Sequence, residues 1–192
     1  MEVGSFFSRI VSIVIALLPV PILLAVAPPK GESVDAEVQF KMGVGYFRAG
    51  EPAEAVRWLA RAAKSNHTRA QGMLGLCRYA GRGVPLDFDK AAYWLARAAA
   101  KEDAIAQFSL ARLYVKGQGV PRNLAKASEL YLLAANQGHA AAQVDLGAAQ
   151  EHGNGVPRDL ESAAKWYNKA AQQGLSVAQL NEAQFATGEP LF

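Results

Sequence analysis

Gly81-Arg82-Gly83-Val84-Pro85 returns as Gly117-Gln118-Gly119-Val120-Pro121 and again as Gly153-Asn154-Gly155-Val156-Pro157, each copy 36 residues after the last. Working outward from these stretches, Ala70-Gln71 recurs as Ala106-Gln107, Ala142-Gln143 and Ala178-Gln179. Ala98-Ala99 recurs as Ala134-Ala135 and Ala170-Ala171. A fixed period of roughly 20–50 residues marks a chain of stacked units, none of which buries its apolar face alone. Such arrays present an extended binding surface more often than a reaction centre.

Between these landmarks the pattern reads helix, loop, helix. In the second unit Ala70, Leu74 and Gly75 share one face, which predicts a first helix over about 68–80. Gly43, Gly75 and Gly147 fall at one register, with Ala111 in the third unit. A missing or minimal side chain there lets a partner helix approach closely, which has to offset the ~1 kcal/mol cost of a helical glycine. The Gly-x-Gly-Val-Pro loop then reverses the chain, because glycine accepts positive φ and proline blocks further helix. Asp87, Asn123 and Asp159 follow each proline by two residues and are residue types that cap a second helix. Gly138 and Gly174 end second helices with a residue suited to the left-handed conformation, and Asn66 and Glu102 stand at the same register.

Composition agrees. The 192 residues are enough for one domain with a sizeable core. Alanine, leucine and glutamine are plentiful, and β-branched runs are scarce beyond the first 30 residues, so the class is all-α. The net charge of +3 comes from 20 basic and 17 acidic residues that are interspersed. No Lys/Arg cluster with interleaved aromatics appears, so nucleic acid is not an expected partner. Cys77 is the single cysteine, so no intrachain disulfide forms and the fold rests on packing. Its apolar helical setting reads as an inert small hydrophobe.

Residues 10–27 carry no charge. As a helix they span roughly 27 Å, close to the ~30 Å hydrocarbon core of a bilayer. The expectation is an N-terminal transmembrane anchor over 1–30, with Ile10, Ile15, Leu18, Leu23 and Leu24 facing lipid and Pro19 and Pro21 kinking the middle. A cleaved signal peptide is the rival, since Ala25-Val26-Ala27 resembles a cleavage site. Against it, Pro28-Pro29 follow directly and the apolar run is long. Loop Lys/Arg counts leave orientation open, and a short internal N-tail with the larger domain translocated is the chosen topology. Residues 31–35 form a polar linker, and the solenoid occupies 36–192 as units 36–66, 68–102, 104–138 and 140–174 with a capping helix at 176–186.

The repeated residues resemble the Sel-one-like repeat family, a relative of the tetratricopeptide repeats. The matching positions are Ala-Gln-x-x-Leu-Gly, Gly-x-Gly-Val-Pro-x-Asp, Lys-Ala-x-x-Trp and Ala-Ala-x-x-Gly, running from Ala70 to Glu102, Ala106 to Gly138 and Ala142 to Gly174. Departures occur: Arg78 and Gln150 stand where Tyr46 and Tyr114 hold the usual tyrosine, and Ser162 replaces the lysine of Lys90 and Lys126. The first unit is four loop residues shorter, with a tight Gly50-Glu51-Pro52 turn. The resemblance implies a right-handed α-solenoid of antiparallel helix pairs whose first helices line a concave face.

No catalytic constellation emerges. His-Glu-x-x-His, Gly-x-Ser-x-Gly and the phosphate-binding Gly-x-x-x-x-Gly-Lys-Ser/Thr are absent from the sequence. The Gly-x-Gly loops follow helices and read as turns. His67 and His139 occupy one inter-repeat turn register as polar turn residues, His152 reads as a rim residue, and no metal site or cofactor is expected. Asp87 and Asp89 read as helix-start carboxylates.

By the implied geometry, Phe40, Phe47, Arg48, Arg69, Tyr79, Phe108, Arg112, Lys116, Glu151 and His152 are candidate contacts for a protein or peptide partner. Aromatic residues and arginine are the types enriched at binding hot spots. The competing reading is that Phe40, Phe47 and Phe108 only fill space between helices, and that the charges are a solvated face. The expected molecule is a non-enzymatic, membrane-anchored adaptor or scaffold in a bacterial inner membrane, with its repeats in the periplasm. One alternative is an accessory or assembly subunit of an integral membrane complex, docked through residues 10–27. A second is an envelope enzyme that binds β-lactams or acts on peptidoglycan, which the missing disulfides of such relatives argue against.

Overall fold

The computed structural model describes residues 35–174. The apolar segment at 10–27 and the helix expected over 176–186 lie outside the described residues. Regular structure among the described residues is entirely helical. The elements are α1 (Ala36–Arg48), α2 (Pro52–Lys64), α3 (Thr68–Ala80), α4 (Phe88–Ala99), α5 (Ala104–Lys116), α6 (Leu124–Asn136), α7 (Ala140–His152) and α8 (Leu160–Gln172). None of them is long and apolar enough to cross a membrane.

Two compact units divide at Asp87 and Phe88. In the first, α2 packs on both α1 and α3. Val38, Met42 and Trp58 form its core with Tyr46 at the edge. The α1–α2 contact depends on Gly43, where an added Cβ would sit 2.8 Å from Leu59 Cγ. In the second unit α5 packs on α4 and α6, and α7 packs on α6 and α8. Its core joins Ala111, Ala127, Ala134, Ala135 and Ala142 to Tyr131 and Leu146. Alanine-rich faces let helix axes come close, and a Cβ at Gly147 would meet Tyr167 Cε1 at 2.8 Å. The shared register of Gly43 and Gly147 is therefore a packing site, as the sequence pattern requires.

The two glycines of each loop do different work. Gly81, Gly117 and Gly153 take left-handed φ of 64°, 68° and 73° and end α3, α5 and α7 by donating to Cys77, Leu113 and Ala149 carbonyls. The second glycine instead seats the loop on the previous second helix. A Cβ at Gly83 would lie 2.2 Å from the Pro52 carbonyl oxygen, and one at Gly119 would lie 2.1 Å from that of Phe88. Gly155 meets the Leu124 backbone in the same way. Asn123 and Asp159 then cap α6 and α8, accepting from the amides of Lys126 and Ser162 at 3.0 Å each.

The other turn is also built by repetition. Gly138 and Gly174 follow the second helices with φ of 86° and 81°, and Asn66 and Glu102 hold φ of 65° and 64° at the same register. The residue after each turn caps the next first helix. Asp103 Oδ1 accepts from the Ala106 amide at 2.8 Å, while His67 and His139 use Nδ1 to accept from Ala70 and Ala142 at 3.1 and 3.2 Å. The two histidines are thus N-caps, a more specific role than polar turn residues.

The recurrent Ala-Gln pair acquires a reason. Gln71, Gln107 and Gln143 are almost completely buried, at 0%, 2% and 3% exposure. Their Nε2 groups donate to the Ala63, Ala99 and Ala135 carbonyls at 3.1, 3.2 and 3.1 Å. Each of these carbonyls also accepts from a turn amide, that of Asn66, Glu102 or Gly138, so the glutamine is a second donor that ties the end of one helix to the start of the next.

Candidate functional site

In the first unit, α1 and α3 carry the candidate contact residues. Phe40 is only 4% exposed. Its ring stacks on His67 with centroids 4.7 Å apart, and the Arg69 guanidinium lies 4.8 Å from the ring centroid. Neutral His67 accepts at Nδ1, so its Nε2 carries the proton and donates to Glu37 Oε2 at 2.9 Å. That bond is the main cause holding the Glu37 carboxyl below its ordinary range. Phe40 is accordingly part of a built stack at the α1–α3 contact, which leaves Arg69 as the exposed member. Phe47 is half-buried, with the Arg82 guanidinium 5.1 Å from its ring centroid. Tyr79 is half-buried and Arg48 is exposed in the last turn of α1.

The second unit repeats the stack. Phe108 on α5 lies 4.6 Å from the His139 ring, with the Arg112 guanidinium 5.8 Å above it. Phe108 is half-buried, as are Arg112 and Lys116. Burial lowers the His139 pKa below that of a free imidazole, which keeps Nδ1 available as an acceptor. Glu151 and His152 do not behave as a pair. Glu151 Oε2 accepts from the Tyr167 hydroxyl at 2.7 Å, tying α7 to α8, whereas His152 is exposed and its Nδ1 lies 2.9 Å from the Ala148 carbonyl oxygen. The structure therefore brings Phe108 and Arg112 together and keeps Glu151 for internal packing.

A second set of aromatics, one exposed and two half-buried, was not singled out as contacts by the sequence reading. Tyr93 on α4 is 53% exposed, and the Arg97 guanidinium lies 5.8 Å from its ring and 5.9 Å from that of Trp94. On α8 the Lys169 ammonium lies 4.1 Å from the Trp166 ring centroid. Trp94 and Trp166 share a repeat register, and the cation three residues later, Arg97 or Lys169, was the available signal.

Cys77 is buried, and burial pushes its thiol up to about 11, which disfavours the reactive thiolate. Among the described residues no three His, Cys, Asp or Glu side chains gather where they could hold a metal ion.

The repeat architecture has a direct counterpart among known families. The Sel1 repeat family matches this chain four times, at residues 36–67, 68–103, 104–139 and 140–175. The chain belongs to the Sel1 repeat family. Each Sel1 repeat match takes in one helix pair, from α1–α2 to α7–α8.

Solved Sel1 repeat structures agree. A protective antigen of uropathogenic Escherichia coli strains displaying this fold is 36% identical with a TM-score of 0.74, over 82% of this chain and 34% of that one. A Sel1 repeat protein from Oxalobacter formigenes is 30% identical with a TM-score of 0.69, over 74% of this chain and 60% of that one. MamA, at 23% identity and a TM-score of 0.53 over 81% of this chain and 84% of that one, shares the fold. This chain thus spans about a third and three-fifths of the first two proteins. No curated protein matches.

Proposed function

We propose that this chain is a non-enzymatic adaptor that binds a protein or peptide partner through the first helices of its Sel1 repeats. The observation that carries this reading is the pairing of a half-buried ring on those helices with a cation, Phe47 with Arg82 of the loop after α3 and Phe108 with Arg112 of α5. Rings held this way lose little side-chain entropy on binding, and both residue types recur at interface hot spots. The helices are preformed, so a partner meets an ordered surface.

The charge-free residues 10–27 support a membrane anchor for this adaptor. With bacterial relatives such as the Escherichia coli and Oxalobacter formigenes proteins, the reading is a single-pass inner-membrane protein with its repeats in the periplasm. The same segment favours a second reading, an accessory subunit that recognises an integral membrane complex through residues 10–27. Affinity capture of the full chain in mild detergent, beside a chain whose residues 10–27 are replaced by an unrelated apolar helix, separates the two. Retention of the same partner by both supports the adaptor. Loss of the partner on replacement supports the subunit and contradicts binding through the repeats.

A further inference from the structure

Asp145 sits at a repeat position held by Lys41, Met73 and Ser109 in the other units, and it is the one acid among them. It lies on α7, is 6% exposed, and its Oδ2 has no hydrogen-bond partner. Beside it is a small cavity walled by Val115, Leu124, Ala127 and Ala149, with Ser128 and Tyr131 as its other polar side chains with Asn154. Ser128 is committed elsewhere, donating to the Asn154 carbonyl at 3.0 Å. Two further substitutions mark the same place. Tyr131 replaces the leucine of Leu59 and Leu95, and Ser128 replaces the alanine of Ala92 and Ala164. The third and fourth repeats therefore meet over a small cavity that a carboxylate, a phenol and a hydroxyl share with apolar groups.

A carboxylate in that position costs free energy when ionised and much less when protonated. The groups facing it are few. Arg112 comes from α5 and favours the anion, the Tyr131 hydroxyl comes from α6 and does the same, and Tyr167 comes from α8 with its hydroxyl already bound to Glu151. None makes an ion pair with Asp145. Burial outweighs them and raises the carboxyl pKa to about 6.

We propose that Asp145 makes the α6–α7 junction an acid-tightened element, closed more firmly when its carboxyl is neutral and loosened when it is charged. The sign follows from linkage. The folded state holds the proton more strongly than the unfolded state, whose carboxyl titrates near 3.8, so this stabilisation is present at low pH and is lost as pH rises through about 6. His139 acts in the opposite sense, since its cap requires the neutral ring. A comparison that leaves His139 unchanged cancels its effect.

The test is hydrogen exchange of the full chain in detergent micelles, parent beside Asp145→Asn, at pH 4.5 and pH 7.5. Comparison at equal pH removes the intrinsic pH dependence of exchange. Amides of α6 and α7 in the variant should gain protection relative to the parent by on the order of tenfold between the two pH values. A ratio independent of pH overturns the proposal. Titration of the Asp145 carboxyl by carbon NMR in the parent supplies a second readout that needs no variant. A midpoint well above the ordinary carboxylate range supports the proposal, and one near 3.8 overturns it.

Discussion

Gln137 Nε2 donates to Gln107 Oε1 at 2.7 Å, joining residues thirty apart at the end of α6 and the buried start of α5. Gln107 in turn donates to the Ala99 carbonyl, so one buried side chain ties α4, α5 and α6 together. The arrangement recurs one unit later, where Gln173 donates to Gln143 Oε1 at 2.9 Å and Gln143 donates to Ala135.

This relationship predicts a cost for an apolar isostere. Gln107→Leu removes one of the two donors to the Ala99 carbonyl, which keeps the Glu102 amide at 3.0 Å, and also removes the acceptor of Gln137, so it should destabilise the chain by about 1 kcal/mol. Urea unfolding of Gln107→Leu, Gln137→Ala and the double variant measures it. The cycle should show coupling of about 1 kcal/mol, and additive single effects would mean that the bond between the two glutamines contributes nothing.

The loop glycines predict a contrast. Gly119→Ala must accommodate both a positive φ of 66° and a Cβ 2.1 Å from the Phe88 carbonyl oxygen. Gly138→Ala bears the positive φ of 86° alone, with nothing within 4 Å of the new atom. The second should cost about 1 kcal/mol and the first several, because backbone has to move. Equal midpoints in denaturant would show that the loop does not seat on α4 as described.

The N-caps predict a pH effect with a definite sign. The folded pKa of His139 is lowered, so its contribution is present above the ordinary value of 6.5 and is lost as pH falls through the folded value. His139→Asp installs the cap that Asp103 already provides at this register. Thermal melts of the two proteins at pH 7.5 and pH 5.5 should show a smaller loss on acidification for the variant. Identical losses would remove His139 from the acid response.

The fold was legible because its decisive signals are local and repeated. Gly117-x-Gly119 with Pro121, the cap at Asn123 and the turn at Gly138 each act on their own few residues, and the period places them. The role of Gln71, Gln107 and Gln143 was visible only as a repeated residue type, because its target is a carbonyl eight residues earlier across a turn. The candidate surface was legible in residue type but not in exposure. Phe40 was read as a contact residue, yet His67 closes over it through a stack that depends on the turn geometry. Asp145 escaped notice for the same reason. Its charge was plain in the sequence, but nothing local says that α6 contributes a tyrosine and α5 an arginine around it.

The claim that the repeats bind a partner through paired rings and cations is tested most directly on the cations of those pairs. The measurement is affinity capture by the full chain in mild detergent, parent beside Arg82→Glu and Arg112→Gln, with the folded fraction of each followed by circular dichroism. Both charges are at least partly open to solvent, so the melts should stay within a few degrees of the parent. The account predicts that a partner recovered with the parent falls at least tenfold with one or both variants. Undiminished recovery by both folded variants would contradict binding through these helices.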